Sequence, residues 1–558
     1  MKLAPTYQKL RGGYYTPEII ARFLARWAIQ SPTASILEPS CGDGILLEAA
    51  IERLFDLGAK HTDIAQSLHG VEIDPEEAAK AEERIKAFRI NPTSEILHVG
   101  DFFTYCRNQL LEQHFLGSVT RDRRAFDAII GNPPFVRYQS FPEKYRDIAV
   151  SIMKQAGLKP SRLMNSWLPF LVASSLLLKE NGRLAMVIPA ELFQVNYAAE
   201  TRQFLSNFYH QITLVTFKKL VFADIQQEVV LLLGERDGIG HNGIRVLEFE
   251  DAGELITHIH TDFTEEELKP MDHSREKWTQ YFLSSDEIHL LRVLRNDPRL
   301  TLSGQVLTVD VGVVTGENKF FILNEQQVKE AHLEGFTRKI VSRSGHLKGA
   351  IFNEADWRAN VENQFPAFLL DAPGVPLDGL PEALRRYILM GEEQNYQQGY
   401  KCRIRTPWYV VPSLWKPDAF MLRQVHGHPK LILNQADATC TDTIHRVRFL
   451  GNGDPRTITA AFMNVLTFAF AEVTGRSYGG GVLTFEPSEV ERLPLPLISS
   501  ENLDLAYFDR QLRANNMQAV IRLTDDILLR DGLNLSASEI QMLHSIWEKL
   551  RDRRIRRK

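Results

Sequence analysis

Strand-length apolar runs, most of them closed by an acid or a glycine, alternate with helical patterns over the first 240 residues of this chain. The runs are Ile36 to Glu38, Leu68 to Glu72, Ile96 to Val99, Phe126 to Ile130, Leu184 to Ile188, Ile212 to Phe217 and Val229 to Leu233. Between them, Ile45 to Phe55 and Trp167 to Lys179 carry helical spacing, the second followed by Asn181-Gly182, a good C-cap pair. Such alternation predicts a parallel sheet with crossover helices, an α/β fold. From 241 to 280 the pattern dissolves into acidic and polar residues, Glu265-Glu266-Glu267 among them, and reads as a connecting segment. Residues 281–500 change to short β-like pieces, many glycines and prolines, and irregular stretches, a loop-rich α+β texture that suits a binding domain. Residues 501–558 read as a helical segment with apolar positions at Ile521, Ile527, Leu528, Ile540, Leu543 and Ile546.

A length of 558 residues exceeds what one core serves, so two or three domains are expected. With 44% apolar and 24% charged residues the chain reads as soluble and globular. Its formal charge of −5 does not mark a nucleic-acid binder, although a large protein can localise its basic surface. Cys41, Cys106, Cys402 and Cys440 are scattered without paired spacing, which indicates neither a metal site nor a disulfide framework. The opening Met1-Lys2-Leu3-Ala4-Pro5 has no apolar core after it, and Phe170 to Leu178 and Ala460 to Ala471 are too short or interrupted to span a bilayer. A cytoplasmic protein with no membrane partner is expected.

The candidate chemistry sits at the strand ends. Ile36-Leu37-Glu38-Pro39-Ser40-Cys41-Gly42-Asp43-Gly44 is a strand, an acidic end, a glycine turn and a helix start. In α/β sheets this arrangement places ligands at the carboxyl ends of strands. The dinucleotide fingerprint is absent. Glu72 and Asp101 end the next two strands; the first suits a ribose diol, the second an adenine amine. Either acid alone would pass for a helix cap. The fourth strand ends in Gly131 and Asn132-Pro133-Pro134-Phe135. Two prolines fix φ and remove two donors, leaving carbonyl acceptors beside an amide and an aromatic face. A planar base with an exocyclic amine needs those groups.

Here the chain resembles a family, the S-adenosylmethionine-dependent N6-adenine DNA methyltransferases in the gamma motif order of the TaqI type. The order matches from Gly13-Tyr14-Tyr15-Thr16-Pro17 through Glu38-Pro39-Ser40-Cys41-Gly42, Glu72, Asp101 and Asn132-Pro133-Pro134-Phe135. It continues at Val314-Thr315-Gly316-Glu317-Asn318-Lys319-Phe320-Phe321, at Arg476-Ser477-Tyr478-Gly479-Gly480-Gly481-Val482-Leu483 and at Arg492-Leu493-Pro494-Leu495-Pro496. Phe135 replaces the tyrosine of the TaqI type and keeps its ring. The resemblance implies a seven-stranded Rossmann-like catalytic domain over residues 1–240, ending in an antiparallel hairpin. It further implies a connecting segment at 241–280, a DNA target-recognition domain at 281–500 and a C-terminal helical segment at 501–558. S-adenosyl-L-methionine is the implied cofactor, held by Thr16, Pro17, Glu38, Pro39, Cys41, Gly42, Gly44, Glu72, Asp101, Asn132 and Pro134. The Asn132 side-chain oxygen and the Pro133 carbonyl would accept the amine hydrogens, with Phe135 and Phe222 stacking on the extruded base.

Double-stranded DNA is the implied partner. Tyr400 to Lys430 holds six basic residues, Lys401, Arg403, Arg405, Lys416, Arg423 and Lys430, against the single acid Asp418, with Trp408, Tyr409, Trp415 and Phe420 interleaved. As a cluster they suit phosphate contact, while each aromatic alone reads as core. The terminal run of Lys549, Arg551, Arg553, Arg554, Arg556, Arg557 and Lys558 reads either as a frayed solvated tail or as a phosphate grip. A cognate restriction endonuclease or subunits of a defence complex stand as candidate partners. Other readings are a modification subunit with a separate specificity protein, and a methyltransferase acting on RNA or protein glutamine. A fused nuclease is disfavoured because the motifs begin at residue 13 and the C-terminal segment holds no convincing metal-carboxylate cluster.

Overall fold

The computed structural model describes residues 14–556, apart from 116–124, 137–139, 141, 162–163, 220, 223–227, 237–241, 256–266, 479 and 499. Met1 to Pro5, Gly13, Glu265, Glu266, Gly479, Arg557 and Lys558, singled out above, lie outside the described residues. The chain forms two compact units, divided between Ser285 and Asp286.

In the first unit one sheet is built from β1 (Ile36–Glu38), β2 (Leu68–Glu72), β3 (Leu97–Val99), β4 (Phe126–Gly131), β5 (Leu178–Pro189), β6 (Gln211–Phe217), β7 (Val229–Glu235) and β8 (Gly243–Phe249). Their order is β3-β2-β1-β4-β5-β7-β6-β8. The first five are parallel. β7 enters antiparallel between β5 and β6, which is the expected hairpin. Helices α1 (Glu18–Ala28), α2 (Ile45–Asp56), α3 (Pro75–Ala87), α4 (Phe102–Phe115) and α5 (Trp167–Leu176) accompany it. β1 is buried along its whole length and β7 at all but its last residue, so these strands carry near-continuous apolar runs rather than alternation.

The sheet has eight strands where the resemblance implied seven. β8 pairs in parallel with β6 over its full length and lies inside the stretch that reads as a connector. The connector reading also fails at Arg202. That guanidinium is 1% exposed and donates to the carbonyls of Leu192, Val195, Arg275 and Glu276. A buried cation satisfied by four carbonyls fixes residues 275–276 to the body of this unit. Polar composition misled because these residues contribute backbone acceptors rather than apolar side chains.

The second unit contains a sheet of β9 (Leu307–Val311), β10 (Ile351–Phe352), β11 (Ala419–Leu422), β12 (Leu431–Asn434) and β13 (Ile444–Phe449), in the order β9-β13-β11-β12-β10. Smaller sheets and short helices complete it. Two of its helices, α6 (Val465–Thr474) and α7 (Ala537–Arg556), pack together. The C-terminal segment is therefore part of this unit. Arg554 of α7, 4% exposed, pairs with buried Glu472 of α6 at 2.6 Å and donates to the carbonyls of His426 and Gly481. Lys549 pairs with Glu287, and Arg551 lies over Trp547 and pairs with Asp552. These cations of the basic end are engaged within the unit, so a frayed tail does not describe them. Among the described residues no single helix is long and apolar enough to cross a membrane.

Arg554→Ala would strand the Glu472 carboxylate in the interior and is expected to destabilise the second unit by about 3–5 kcal/mol. Arg556→Ala, at an exposed position, is expected to change stability by less than about 0.5 kcal/mol. Denaturant unfolding of both variants checks the contrast.

Candidate active site

The chain moves outward from β1 through β2 to β3 and then crosses back to place β4 on the other side of β1. That reversal opens a crevice at the carboxyl ends of β1 and β4. A cavity of about 510 Å³ lies at these strand ends, in the usual range for a small-molecule site. Of the residues expected at the cofactor, Thr16, Glu38, Pro39, Cys41, Gly42, Glu72, Asp101, Asn132 and Pro134 line it together.

Others named above stand outside its wall. Pro17 starts α1, its carbonyl accepting from Ile20 and Ala21. Gly44 precedes α2 at φ +84°, and a Cβ there would stand 2.8 Å from Ala81 of α3, so this glycine sets the helix packing behind the loop. Pro133 is buried. Phe135 is half-buried against the apolar core of the sheet. Phe222 is 6% exposed and belongs to that same core, so as placed it is a packed ring rather than a free stacking face.

Asn132 is the best-defined polar group. Its amide nitrogen donates to the Tyr14 carbonyl at 2.9 Å and to Thr16 Oγ1 at 3.2 Å. A carbonyl needs a donor, so the network assigns the NH2 to that side and turns Oδ1 away as an acceptor. Gly131 permits the approach behind it: a Cβ there would meet Pro39 at 3.2 Å. Beyond the prolines, Ser166 fastens the loop, its hydroxyl donating to the Pro134 carbonyl and accepting from the Val136 N–H.

The four acids sit in four different environments. Glu72 accepts from the Gly42 and Asp74 N–H groups, both at 2.8 Å, which ties the glycine turn of β1 to the tip of β2. Asp101 Oδ1 accepts from the N–H and the hydroxyl of Thr104, so this carboxylate caps the start of α4 at the cavity edge. Burial pushes the Asp101 carboxyl up. Glu38 is 1% exposed and its Oε2 has no hydrogen-bond partner. Burial first, then the charges of Asp43 and Glu72, push its carboxyl well above the usual range. Burial likewise pushes the Cys41 thiol up, so this cysteine is no thiolate nucleophile. Asp43 is compensated by Arg84 at 2.8 Å.

The basic cluster of the second unit divides. Arg405 donates to the Val314 and Thr315 carbonyls, and Lys430 donates to those of Leu347 and Lys348. Arg423 donates to the Asp442 carbonyl and lies 3.6 Å from Glu486. These three hold loops together. Lys401, Arg403 and Lys416 are exposed, Lys416 paired with Asp437 at 3.2 Å. Alternating charge in the sequence gives no sign of which cations meet carbonyls, because the carbonyls come from segments up to 91 residues away.

Sequence reasoning missed Ser166, Ile73 and Tyr145. Ser166 stands just before α5 and reads as a helix cap, while its hydroxyl reaches back to the loop after β4. Ile73 is 53% exposed beside Glu72 and lines the cavity, as does Tyr145. An exposed isoleucine directly after a strand-end acid was the available signal.

Comparison with known proteins agrees with this architecture. The model for the Eco57I restriction-modification methylase matches residues 54–222, and that for the C-terminal domain of the type II methyltransferase M.Eco57I matches residues 275–529. The chain belongs to the type II restriction-modification methylases. It is 22% identical to the type II methyltransferase M.AccI of Acinetobacter calcoaceticus, over 90% of this chain and 87% of that protein. It is 26% identical to M.XamI of Xanthomonas campestris pv. amaranthicola, over 88% and 86%. Among solved structures, the type IIL restriction-modification enzyme MmeI in complex with DNA shares the fold, with a TM-score of 0.53 at 12% identity over 94% of this chain and 73% of that one.

Glu38 has a raised pKa in the folded protein, so its contribution to stability is present at low pH and is lost as pH rises through that raised value. Glu38→Gln removes the cost of ionising it, and the ligand-free variant is expected to be more thermostable than wild type above pH 8 and equal to it near pH 4. Each kcal/mol recovered raises Tm by about 2–4 °C. Calorimetric scans at the two pH values check it.

Proposed function

We propose that this protein transfers a methyl group from S-adenosyl-L-methionine to the N6 amine of an adenine extruded from double-stranded DNA, in the gamma class of the TaqI type. One observation carries the reading: Asn132 Oδ1 is turned away from its anchors as an acceptor at a cavity walled by Glu38, Glu72 and Asp101.

The residues present fit the cofactor. Glu38, buried with an unpartnered oxygen at the cavity wall, suits a cationic group entering beside it, which would draw its carboxyl into the ionised form. Glu72 retains lone pairs for a ribose diol, and Asp101 Oδ2 retains acceptor capacity for an adenine amine. Exposed Ile73 offers an apolar face for a planar ring. When bound, the cofactor supplies an electrophilic methyl on a sulfonium centre. The chain's own work is positioning. Asn132 Oδ1, with the Pro133 carbonyl, accepts the two hydrogens of the substrate amine, raising density on the nitrogen and aiming it. No strong base is needed, because the amine becomes much more acidic once methylated. Phe135 stacks on the base, an interaction of about 1–3 kcal/mol that offsets part of the cost of extrusion.

The second unit is the proposed DNA-recognition domain, with Lys401, Arg403 and Lys416 as its phosphate-facing members of the basic cluster. Arg405, Arg423 and Lys430 support the loops that present them. The same proposal gives the protein a restriction-modification role in the cytoplasm, with a cognate endonuclease as partner, and its likeness to type II methyltransferases supports the restriction-modification part.

Incubating the purified protein with labelled cofactor and separate DNA, RNA and protein substrates tests the reading; label in RNA or protein alone overturns it. Asn132→Ala is expected to abolish transfer while weakening cofactor binding far less, since its oxygen serves the reacting amine and the other cofactor residues remain. Near wild-type turnover in that variant would remove Asn132 from the reaction. Glu72→Ala is expected to weaken cofactor binding about tenfold or more through loss of charge-assisted bonds, with DNA affinity unchanged. Titration calorimetry with the cofactor checks it.

A further inference from the structure

β13 lies inside its sheet between β9 and β11, and it carries Arg446 and Arg448 two residues apart, hence on one face. Both guanidinium groups lie over the ring of Trp415, with centres 4.4 and 4.6 Å from its centroid. Otherwise the two arginines differ completely. Arg446 is 5% exposed and all three of its nitrogens are engaged, with the Val311 carbonyl, the Ser413 carbonyl and the Ser413 hydroxyl. It fastens the loop that carries Trp415 to the strand. Arg448 is exposed and, among the described residues, its guanidinium has neither an ion pair nor a hydrogen bond.

An arginine on a protein surface ordinarily samples many rotamers and pairs with a nearby acid. Stacking on an indole fixes the plane of the guanidinium without consuming any of its five N–H donors. The bland reading is an arginine that merely shields Trp415 from water. The rest of the arrangement argues otherwise. The ring is already held in place by the Arg446 anchorage of its loop, and exposed Lys416 is the next residue along the chain. An exposed planar donor fork stacked on an anchored ring matches a planar pair of acceptors on a polyanion.

We propose that Arg448, laid on Trp415, contacts DNA through this fork and takes a pair of acceptors there, either the O6/N7 edge of a guanine or two oxygens of a phosphate. The assignment rests on the DNA reading above and adds to it a residue outside the Tyr400–Lys430 cluster.

The full-length protein tests it. Methylation-aware sequencing of DNA from cells expressing the wild type first maps a site. A short duplex carrying that site and a scrambled duplex are then titrated, at several salt concentrations, with wild type, Arg448→Ala, Arg448→Lys and Trp415→Phe. Cofactor affinity and thermal stability are measured on the same preparations and are expected to be unchanged for both Arg448 variants. If the fork reads guanine, both Arg448 variants lose about tenfold or more on the mapped duplex and little on the scrambled one. In that case 7-deazaguanine at one position of the site weakens the wild type but not Arg448→Ala. If the fork holds phosphate, Arg448→Ala weakens both duplexes alike and lowers the slope of log affinity against log salt by about one, while Arg448→Lys keeps the slope. Trp415→Phe, which keeps a ring under the fork, is expected to lie between wild type and Arg448→Ala in either case. Arg448→Ala indistinguishable from wild type in affinity and slope overturns the proposal. A wild type that binds duplex yet methylates no DNA refutes the methyl-transfer reading instead, and the salt slopes still decide the role of Arg448.

Discussion

The two hydrogen bonds from the Asn132 amide nitrogen, to the Tyr14 carbonyl and to Thr16 Oγ1, constrain the site more than any other contact. An amide has one donor end and one acceptor end. Once the donor end is held by backbone from the chain's beginning, the acceptor end has one direction left. Everything near it serves that geometry. β4 must stop beside β1, Gly131 must lack a side chain against Pro39, and Ser166 must hold the proline loop from the other side. The reversal of strand order between β1 and β4 provides the crevice, and this amide orients what lies in it.

Acids crowd the cavity wall, Glu38, Asp43, Glu72 and Asp101 among them. The protein manages this by giving each acid a different environment. Arg84 compensates Asp43, backbone N–H groups hold Glu72, and a helix start holds Asp101. Glu38 alone is left with an oxygen that nothing satisfies, and burial raises its pKa accordingly. Such a group destabilises the empty state and favours a state in which positive charge is present, a trade of stability for binding that recurs at functional sites.

In the second unit, position in the fold sorts residues of one type into separate roles. Arg405, Lys430, Arg446 and Arg554 are all cations, and each is drawn to backbone carbonyls or to a buried carboxylate where it fastens loops or helices. Loop-rich structure leaves many carbonyls outside ladders, and long cationic side chains are the available donors for them. Lys401, Arg403, Lys416 and Arg448, by contrast, stay exposed, and of these Lys416 pairs with Asp437. Local sequence is blind to that sorting, because the carbonyl that captures Arg554 comes from His426 and its carboxylate from Glu472.

The sequence by itself determined the parallel part of the first sheet, because strands buried on both faces must be apolar throughout and the turns after them need glycine, proline or an acid. It also determined much of the cavity wall, since eight of the nine expected cofactor residues that line it, all but Thr16, sit at strand ends that this topology brings together. Tertiary structure alone decided β8, whose residues 243–249 pair with β6 rather than trail away as a connector, since pairing depends on a free sheet edge that no local pattern records. It decided that Phe135 and Phe222 pack against the core, and that the C-terminal helix closes on Glu472 through Arg554. It also separated Arg446 from Arg448. The physical reason is the same in each case: periodicity and turn chemistry are properties of neighbours along the chain, while burial, charge pairing and hydrogen-bond capture are settled by neighbours in space.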